Sequence, residues 1–262
     1  SSFNTWNGIT TANIAFKYGG TTTEKYAHID GENVVSFSDD QYEFGDWVLA
    51  ITAKTLELGA TDAETKILDA DIIFNPYFVN HQVWNFGIAD DMPNAGFFDI
   101  QSITTHEIGH ILGLLHTGVH NATMWFEMPE GINARSLEQD DKSWASYKYP
   151  SGSASSFGSI SGNITYGYDG KPVAGALVLA INSATKDTIH SYSDALGNYL
   201  VPGLSTGSYN VHIEPLDWDV YGRPLSPRNI SLYIYSNTIY TDYPGEFYSG
   251  ANEKAVESTD IV

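Results

Sequence analysis

The sequence is short of cysteine, positive charge and long apolar runs. Its 262 residues contain no cysteine, which excludes disulfides. It contains 12 basic and 32 acidic residues, which give a formal net charge of −20. A negative electrostatic field of this kind repels phosphate backbones and anionic lipids. No apolar run approaches the roughly 20 residues that a membrane-spanning helix needs. We therefore expect no nucleic-acid partner and no membrane span.

The composition is that of a folded chain, and the residue pattern changes between its two halves. Hydrophobic residues make up 42% and charged residues 17%, as in globular proteins. Residues 1–150 mix strand and helix patterns, and the small polar stretch 151–156 is typical of a linker. From 157 to 242, short β-rich runs recur between turn residues, and 243–262 is a tail or the start of a further region. The patterns predict an α+β domain followed by an all-β sandwich.

The segment His106–His116, HEIGHILGLLH, carries the strongest chemical signal. His106 and His110 are four residues apart, so a helix presents both imidazoles on one face. Gly113 can adopt a positive φ, end the helix and turn the chain, which lets His116 approach the same point. Three neutral nitrogen ligands with a fourth position open to water are typical of a hydrolytic zinc site.

Two further residues extend this motif. Glu107 can reach a metal-bound water without ligating the metal, so we expect it to act as the general base. Met124 follows His116 by eight residues, and HExxHxxGxxH with a later methionine turn is the metzincin pattern. A helix with coincidental histidines is the alternative, but the glycine, the third histidine and the methionine are all in place. The sequence thus resembles the metzincin zinc proteases.

The flanking residues narrow the resemblance to matrixins of the bacterial type. Thr117 follows the third histidine, where matrixins usually carry serine or threonine. Residues 69–75, 98–105 and 136–147 resemble the matrixin central strand, the lead-in to the active-site helix and the closing helix. The resemblance implies a twisted mixed sheet with an active-site helix over residues 1–150. The opening, residues 1–6, resembles the end of the first matrixin helix, so the first strand is expected to be missing.

The second half resembles another family. Residues 169–176, 193–199 and 203–209 resemble turns of the carboxypeptidase regulatory-like (transthyretin-like) sandwich. Such turn chemistry specifies fold and not function. For this domain we predict a spacer or adhesion role.

The matrixin resemblance also implies a function and site residues. It implies a zinc endopeptidase that is secreted or on the cell surface and acts on proteins or peptides, with a monomer favoured. It places Met124 beneath the ion and lines a substrate pocket with Trp125, Phe126, Met128 and Pro129. Packing of the two aromatic residues in the core is the alternative. Asp140 and Asp141 are candidates for hydrogen bonds to the methionine turn or to the amino terminus, with helix capping or solvation as alternatives.

Acidic residues have two interpretations, solubility and calcium. Hard cations take several oxygen ligands from loops, and the resemblance supports calcium. The candidate carboxylates lie at Asp30, Glu32, Asp39, Asp40, Asp69, Asp71, Asp90 and Asp91. We expect His81 at the surface, and His120 exposed or hydrogen-bonded and not a metal ligand.

The patterns also predict element limits. In the first domain, strands are expected at 13–18, 33–38, 47–55 (or a helix) and 67–75. Helices are expected at 102–113 and from Ser136, with Gln139 at the capping-box position. In the sandwich, strands are expected at 159–165, 176–181, 188–192, 198–201, 208–213 and 230–235.

Two other functional classes remain open. One is a catalytically inactive protein that binds a surface or glycan through its sandwich, and the intact catalytic residues argue against it. The other is a metal-dependent hydrolase of another substrate, such as an amidase, and the methionine turn argues against that.

Overall fold

Contacts divide the chain into two units. In the computed structural model, the described residues are 1–37, 43–45, 47–59, 65–78, 82–88, 96–216, 239, 243 and 245–248. One unit comprises Ser1–Leu114 and Glu127–Leu137, and the other comprises Leu115–Phe126 and Glu138–Val262. The segment 115–126 thus groups by contacts with the described residues from Glu138 onward. In the described part of the chain, no helix has the length and apolarity to cross a bilayer.

The first unit is built on a three-stranded mixed sheet. After the short helix α1 (Ser2–Asn7) come β1 (Val35–Phe37), β2 (Ala50–Glu57) and β3 (Lys66–Phe74). The strand order is β1–β3–β2, with β1 parallel and β2 antiparallel to β3. The second half of β3 is fully buried, as expected for a central strand.

Short strands lead into the main helix of this unit. An antiparallel pair, β4 (Tyr77–Phe78) and β5 (Gln82–Val83), precedes the parallel pair β6 (Phe86–Gly87) and β7 (Phe98–Asp99). Helix α2 (Ile100–Ile111) begins directly after β7. Fully buried side chains of this unit include Trp6, Ile72, Ile73, Phe74, Ile103 and Ile108. The Trp6 indole also donates to the α2 carbonyl of Thr105 at 2.9 Å, so α1 is tied to the helix that carries the histidines.

The second unit joins helix α3 (Gln139–Lys148) to a β-sandwich. A 3₁₀ turn at Gly152–Ser156 leads to β8 (Gly158–Asn163), β9 (Leu177–Asn182), β10 (Thr188–Tyr192), β11 (Asn198–Leu204), β12 (Tyr209–Glu214) and β13 (Glu246–Phe247). One antiparallel sheet has the order β10–β9–β12–β13, and the other pairs β11 with β8.

Strand β9 is apolar on both faces. Its even-numbered residues Val178 and Ala180 lie in the sandwich core with residues such as Ile189, Val201 and Val211. Its odd-numbered residues Leu177 and Leu179 lie in a second cluster with Trp125 and Leu216. Side chains alternate across a strand, so the outer face of this sheet is covered by residues of the segment 115–126.

Most sequence-based expectations of fold are confirmed. The α+β class, a helix at the start of the sequence, the central strand and the first five sandwich strands are present. The expected strand at 33–38 is shorter, and that at 47–55 runs from Ala50 to Glu57. The strand expected at 230–235 lies outside the described residues.

Two expectations are wrong. Residues 13–18 form no strand, because the Asn7 side chain bonds both the N–H and the carbonyl of Phe16, at 2.7 and 2.8 Å. The closing helix does not begin at Ser136 with Gln139 at the capping-box position. Glu138 is its N-cap, and Asp141 accepts the Glu138 N–H at 2.9 Å.

Candidate metal centre

The three predicted histidine ligands lie together. One ring nitrogen from each of His106, His110 and His116 lies within 4.8 Å of the other two. Three nitrogens at about 2.1 Å from a tetrahedral zinc are roughly 3.4 Å apart, so the three rings already lie near the spacing that a zinc ion requires. His106 is buried and the other two are half-buried. A set of three imidazoles suits zinc better than calcium or magnesium, which prefer oxygen.

The turn after α2 follows from Gly113. This residue has a φ of 77°, which a residue with a Cβ adopts only with strain. The Gly113 N–H bonds the His110 carbonyl at 3.0 Å, and the Leu114 N–H bonds the Gly109 carbonyl at 2.9 Å. This pair of bonds is the Schellman motif. The helix thus ends where the sequence motif requires, and the chain turns before His116.

The same turn orients His110. Its Nδ1 lies 2.9 Å from the Leu114 carbonyl oxygen. Because a carbonyl only accepts, Nδ1 carries the proton in this contact, and Nε2 is left with the lone pair that a metal needs. The ammonium of Lys54 donates to the His110 carbonyl at 2.8 Å and places a positive charge at the negative end of the helix.

Glu107 is a buried acid with a hydroxyl partner. The Thr52 hydroxyl lies 2.7 Å from Oε2 of Glu107 and 2.9 Å from its backbone carbonyl. Burial raises the pKa of Glu107 to about 7, against the lowering effect of the Thr52 hydrogen bond. A carboxyl with such a pKa can both take up and release a proton near neutral pH.

The first turn of α2 is held by an ion pair. Asp99 is its N-cap and accepts the Ser102 N–H at 2.8 Å. Arg135 contacts the same carboxylate with two nitrogens, at 2.7 and 2.8 Å. Burial raises the pKa of Asp99, but the hydrogen bonds from Arg135 and Ser102 outweigh it, so the pKa lies below its usual value. This pairing was not anticipated from the sequence.

Met124 and Asp141 lie together in the second unit. Met124 is buried, and its carbonyl accepts the Thr117 N–H at 3.0 Å. The Asp141 carboxylate accepts the N–H groups of Thr123 and Met124 at 3.0 and 3.1 Å. Burial and the neighbouring Asp140 raise the pKa of Asp141 to about 7, and the backbone donors oppose that rise. Of the two partners considered for Asp141, the methionine turn is the one it contacts.

The four residues considered for the substrate pocket differ in exposure. Trp125 is buried in the cluster that contains Leu177 and Leu179, and Phe126 packs partly against it. Met128 is half-buried and Pro129 is exposed. The burial of Trp125 agrees with the alternative that this side chain packs in the core. His120 is half-buried, bonds Asn121 at 3.0 Å and does not belong to the histidine group.

Sequence reasoning missed residues of β10 that contact this region. Tyr192 donates to the His116 carbonyl at 3.1 Å, and Nδ1 of His190 lies 2.9 Å from the Thr117 hydroxyl. Burial and the nearby Asp140 raise the pKa of Tyr192 well above its usual value, against a hydrogen bond from the Gly118 backbone. A signal for such contacts was present in the sequence, in the run Ala176–Ile181 of the neighbouring strand β9. This run is apolar without alternation, which indicates a sheet covered on both faces.

Three of the predicted calcium carboxylates, those of Asp30, Asp69 and Asp71, accept backbone N–H groups. Asp69 accepts the Gly31 N–H at 2.8 Å, and Asp71 accepts those of His28 and Val34 at 3.1 and 2.8 Å. Within the described ranges, the three histidines are the group of metal-binding side chains that converges. Asp39, Asp40, Asp90, Asp91 and His81 lie outside those ranges.

A helix-borne HExxH, a glycine turn, a third histidine and a buried methionine turn together define a metzincin-type metal centre. Comparison with known proteins agrees. The family model "Matrixin" matches residues 2–149, and "Carboxypeptidase regulatory-like domain" matches residues 159–228. The chain belongs to the matrixin family, with a carboxypeptidase regulatory-like domain after the catalytic domain, and this membership supports a zinc metalloprotease.

One curated relative is karilysin of Tannerella forsythia. It is 29% identical over 175 residues, which cover 60% of this chain and 36% of karilysin. This chain therefore spans about a third of the length of that relative. No solved structure matches the chain.

Proposed function

We propose that the protein is a zinc-dependent endopeptidase in which Glu107 is the general base. The observation that carries the proposal is the buried carboxyl of Glu107, next to a histidine of the convergent triad and with a pKa raised to about 7. His106, His110 and His116 would hold the zinc. When bound, zinc acidifies a water and polarises the carbonyl of the peptide bond.

The protein's own groups supply proton transfer. Glu107 accepts a proton from the attacking water on its carboxylate and then releases it to the leaving amine. The Thr52 hydroxyl, 2.7 Å from Oε2, donates to the ionised carboxylate and so holds its position. Phe126, Met128 and Pro129 remain candidates for substrate contact, and calcium remains a prediction from sequence.

The test compares Glu107→Gln with Glu43→Gln, which changes an exposed glutamate. The 262-residue chain is assayed on casein and on quenched peptides, with zinc content measured in parallel. General-base catalysis contributes about 10²–10⁴-fold, so Glu107→Gln should lose at least about 100-fold in kcat and retain its zinc. The control should match the wild type. A chelator should stop cleavage, and added zinc should restore it.

Two results would contradict the proposal. One is a zinc-loaded wild type that cleaves no protein or peptide. The other is a Glu107→Gln variant within a few-fold of the wild type. An inactive surface or glycan-binding protein is the alternative, and it is not favoured because the histidines and Glu107 remain together.

We also propose that the protein acts outside the cytoplasm, secreted or at the cell surface. The support is its matrixin membership, since metzincins are mostly secreted. Fractionation of the source cells, with detection by antibody, tests this separately from the chemistry.

A further inference from the structure

The segment that carries the third histidine lies outside helix α2 and is folded by turns. Within residues 115–126, Thr117 bonds Met124, and two tight turns bond Ala122 to Val119 and Trp125 to Ala122. His116 lies outside helix α2, whereas His106 and His110 are held by the helix itself. Because metal–ligand distances tolerate only about 0.2 Å, the contacts that hold the backbone of His116 matter for metal binding.

Tyr192 of β10 makes one of these contacts. Its hydroxyl donates to the His116 carbonyl at 3.1 Å. Its ring packs against the cluster formed by Trp125, Leu177, Leu179 and Leu216. A donor on a packed aromatic ring has little freedom to move, so the hydrogen bond restrains the backbone of the ligand residue.

His190, two residues earlier on β10, holds the next residue of the segment. Its Nδ1 lies 2.8 Å from each Asp140 carboxylate oxygen and 2.9 Å from the Thr117 hydroxyl. The Thr117 hydroxyl in turn accepts the Val119 N–H at 3.0 Å. All three side chains of this network are buried, where hydrogen bonds are strong and a missing partner is costly.

Apolar packing completes the contact. Gly118 lies so close to Leu177 of β9 that an added Cβ would meet the leucine Cδ1 at 2.8 Å. The segment therefore lies directly on the outer face of the sandwich sheet.

We propose that strands β9 and β10 of the sandwich position the third zinc ligand, with Tyr192 and His190 as the positioning residues. The sandwich is then part of the metal centre's support and not a spacer. This inference rests on the proposed zinc-dependent function. Hydrogen-bond partners of this kind, which orient metal ligands, alter metal affinity or activity by about 10–100-fold when removed.

The test uses the full chain and the variant Tyr192→Phe, which removes one hydroxyl and keeps the ring. The matched control is Tyr209→Phe, since the Tyr209 hydroxyl also donates to a backbone carbonyl of the sandwich, that of Ser205 at 3.0 Å. Zinc affinity is measured by competition with a chelator of known affinity. The absorption bands of the cobalt-substituted protein report the geometry of the site.

Tyr192→Phe should weaken zinc binding by about 10-fold or more and alter the cobalt bands, whereas Tyr209→Phe should leave both unchanged. Urea midpoints of the metal-free variants should be alike, which separates positioning from general destabilisation. A zinc affinity within twofold of the Tyr209→Phe value would overturn the inference. If Tyr192→Phe fails to fold, Thr117→Val is tested in its place, because it removes the hydroxyl that contacts His190. A zinc affinity of Thr117→Val within twofold of the Tyr209→Phe value would then overturn the inference.

The two proposals fail in different ways. If the wild type binds no zinc and cleaves nothing, the proposed function is wrong. If the wild type binds zinc and cleaves peptides while Tyr192→Phe and Thr117→Val bind zinc equally well, only the positioning role is wrong.

Discussion

The ion pair between Asp99 and Arg135 should dominate the stability of the first turn of the histidine helix. The Asp99 side chain is fully buried, and that of Arg135 is 19% exposed. Changing Asp99→Asn keeps a good N-cap, because asparagine and aspartate cap helices about equally well. The substitution replaces the carboxylate, which has two oxygen acceptors for the Arg135 guanidinium, with an amide that has one. The mostly buried positive charge of Arg135 is then left without a negative partner.

The expected cost can be worked from these contacts. Removing one partner of a buried pair costs about 3–5 kcal/mol, and the remaining exposure of Arg135 places this variant near the lower end. Asp99→Ala should lose about 1 kcal/mol more, because it also removes the cap to Ser102. In a double-mutant cycle with Arg135→Met, a coupling of at least about 1 kcal/mol is expected for groups in direct contact.

The pH dependence has a definite sign. The folded pKa of Asp99 is depressed, so the pair stabilises the protein above the unfolded pKa of about 3.9. That contribution is lost as the pH falls through the folded value. The difference between wild type and Asp99→Asn should therefore be constant from pH 5 to 8 and should shrink below about pH 4.

Urea unfolding of the metal-free protein, followed by tryptophan fluorescence, measures these differences. Glu57→Gln, which removes an exposed ion pair with Lys66, is the control and should have little effect. An Asp99→Asn variant as stable as the control at pH 7, or a coupling near zero, would refute the reasoning.

Two further outcomes are expected around the metal centre. Thr52→Val removes the hydrogen bond that lowers the pKa of Glu107, so the acidic limb of the kcat/KM profile should shift to higher pH; an unshifted limb would exclude this role of Thr52. Gly113→Ala places a Cβ at a φ of 77°, which costs about 1–2 kcal/mol. It should lower the urea midpoint and weaken zinc binding measured by chelator competition, and a variant equal to wild type in both would show that the turn tolerates a side chain.

Local spacing predicted the histidine helix, its glycine turn and the convergence of the three histidines. His106 and His110 share a face because they are one turn apart, and Gly113 ends the helix by the Schellman bonds that its φ permits. These features depend on residues within a few positions of each other. These features can therefore be predicted almost completely from the sequence pattern.

The partners of those residues could not be predicted in the same way. Thr52 and Glu107 are 55 residues apart, and Thr117 and His190 are 73 apart. No periodicity connects such positions, because they meet only after the chain has folded. The failed strand at 13–18 has a more local origin, since the Asn7 side chain, nine residues before Phe16, bonds its N–H and carbonyl in place of a neighbouring strand.

One long-range contact nevertheless left a trace in the sequence. A sandwich strand with one face in water alternates apolar and polar residues. Residues 176–181, Ala-Leu-Val-Leu-Ala-Ile, do not alternate. Leu177 and Leu179 are apolar because Trp125 covers them. A spacer domain would have no physical reason to keep that face apolar, whereas a domain that packs against the segment carrying His116 does.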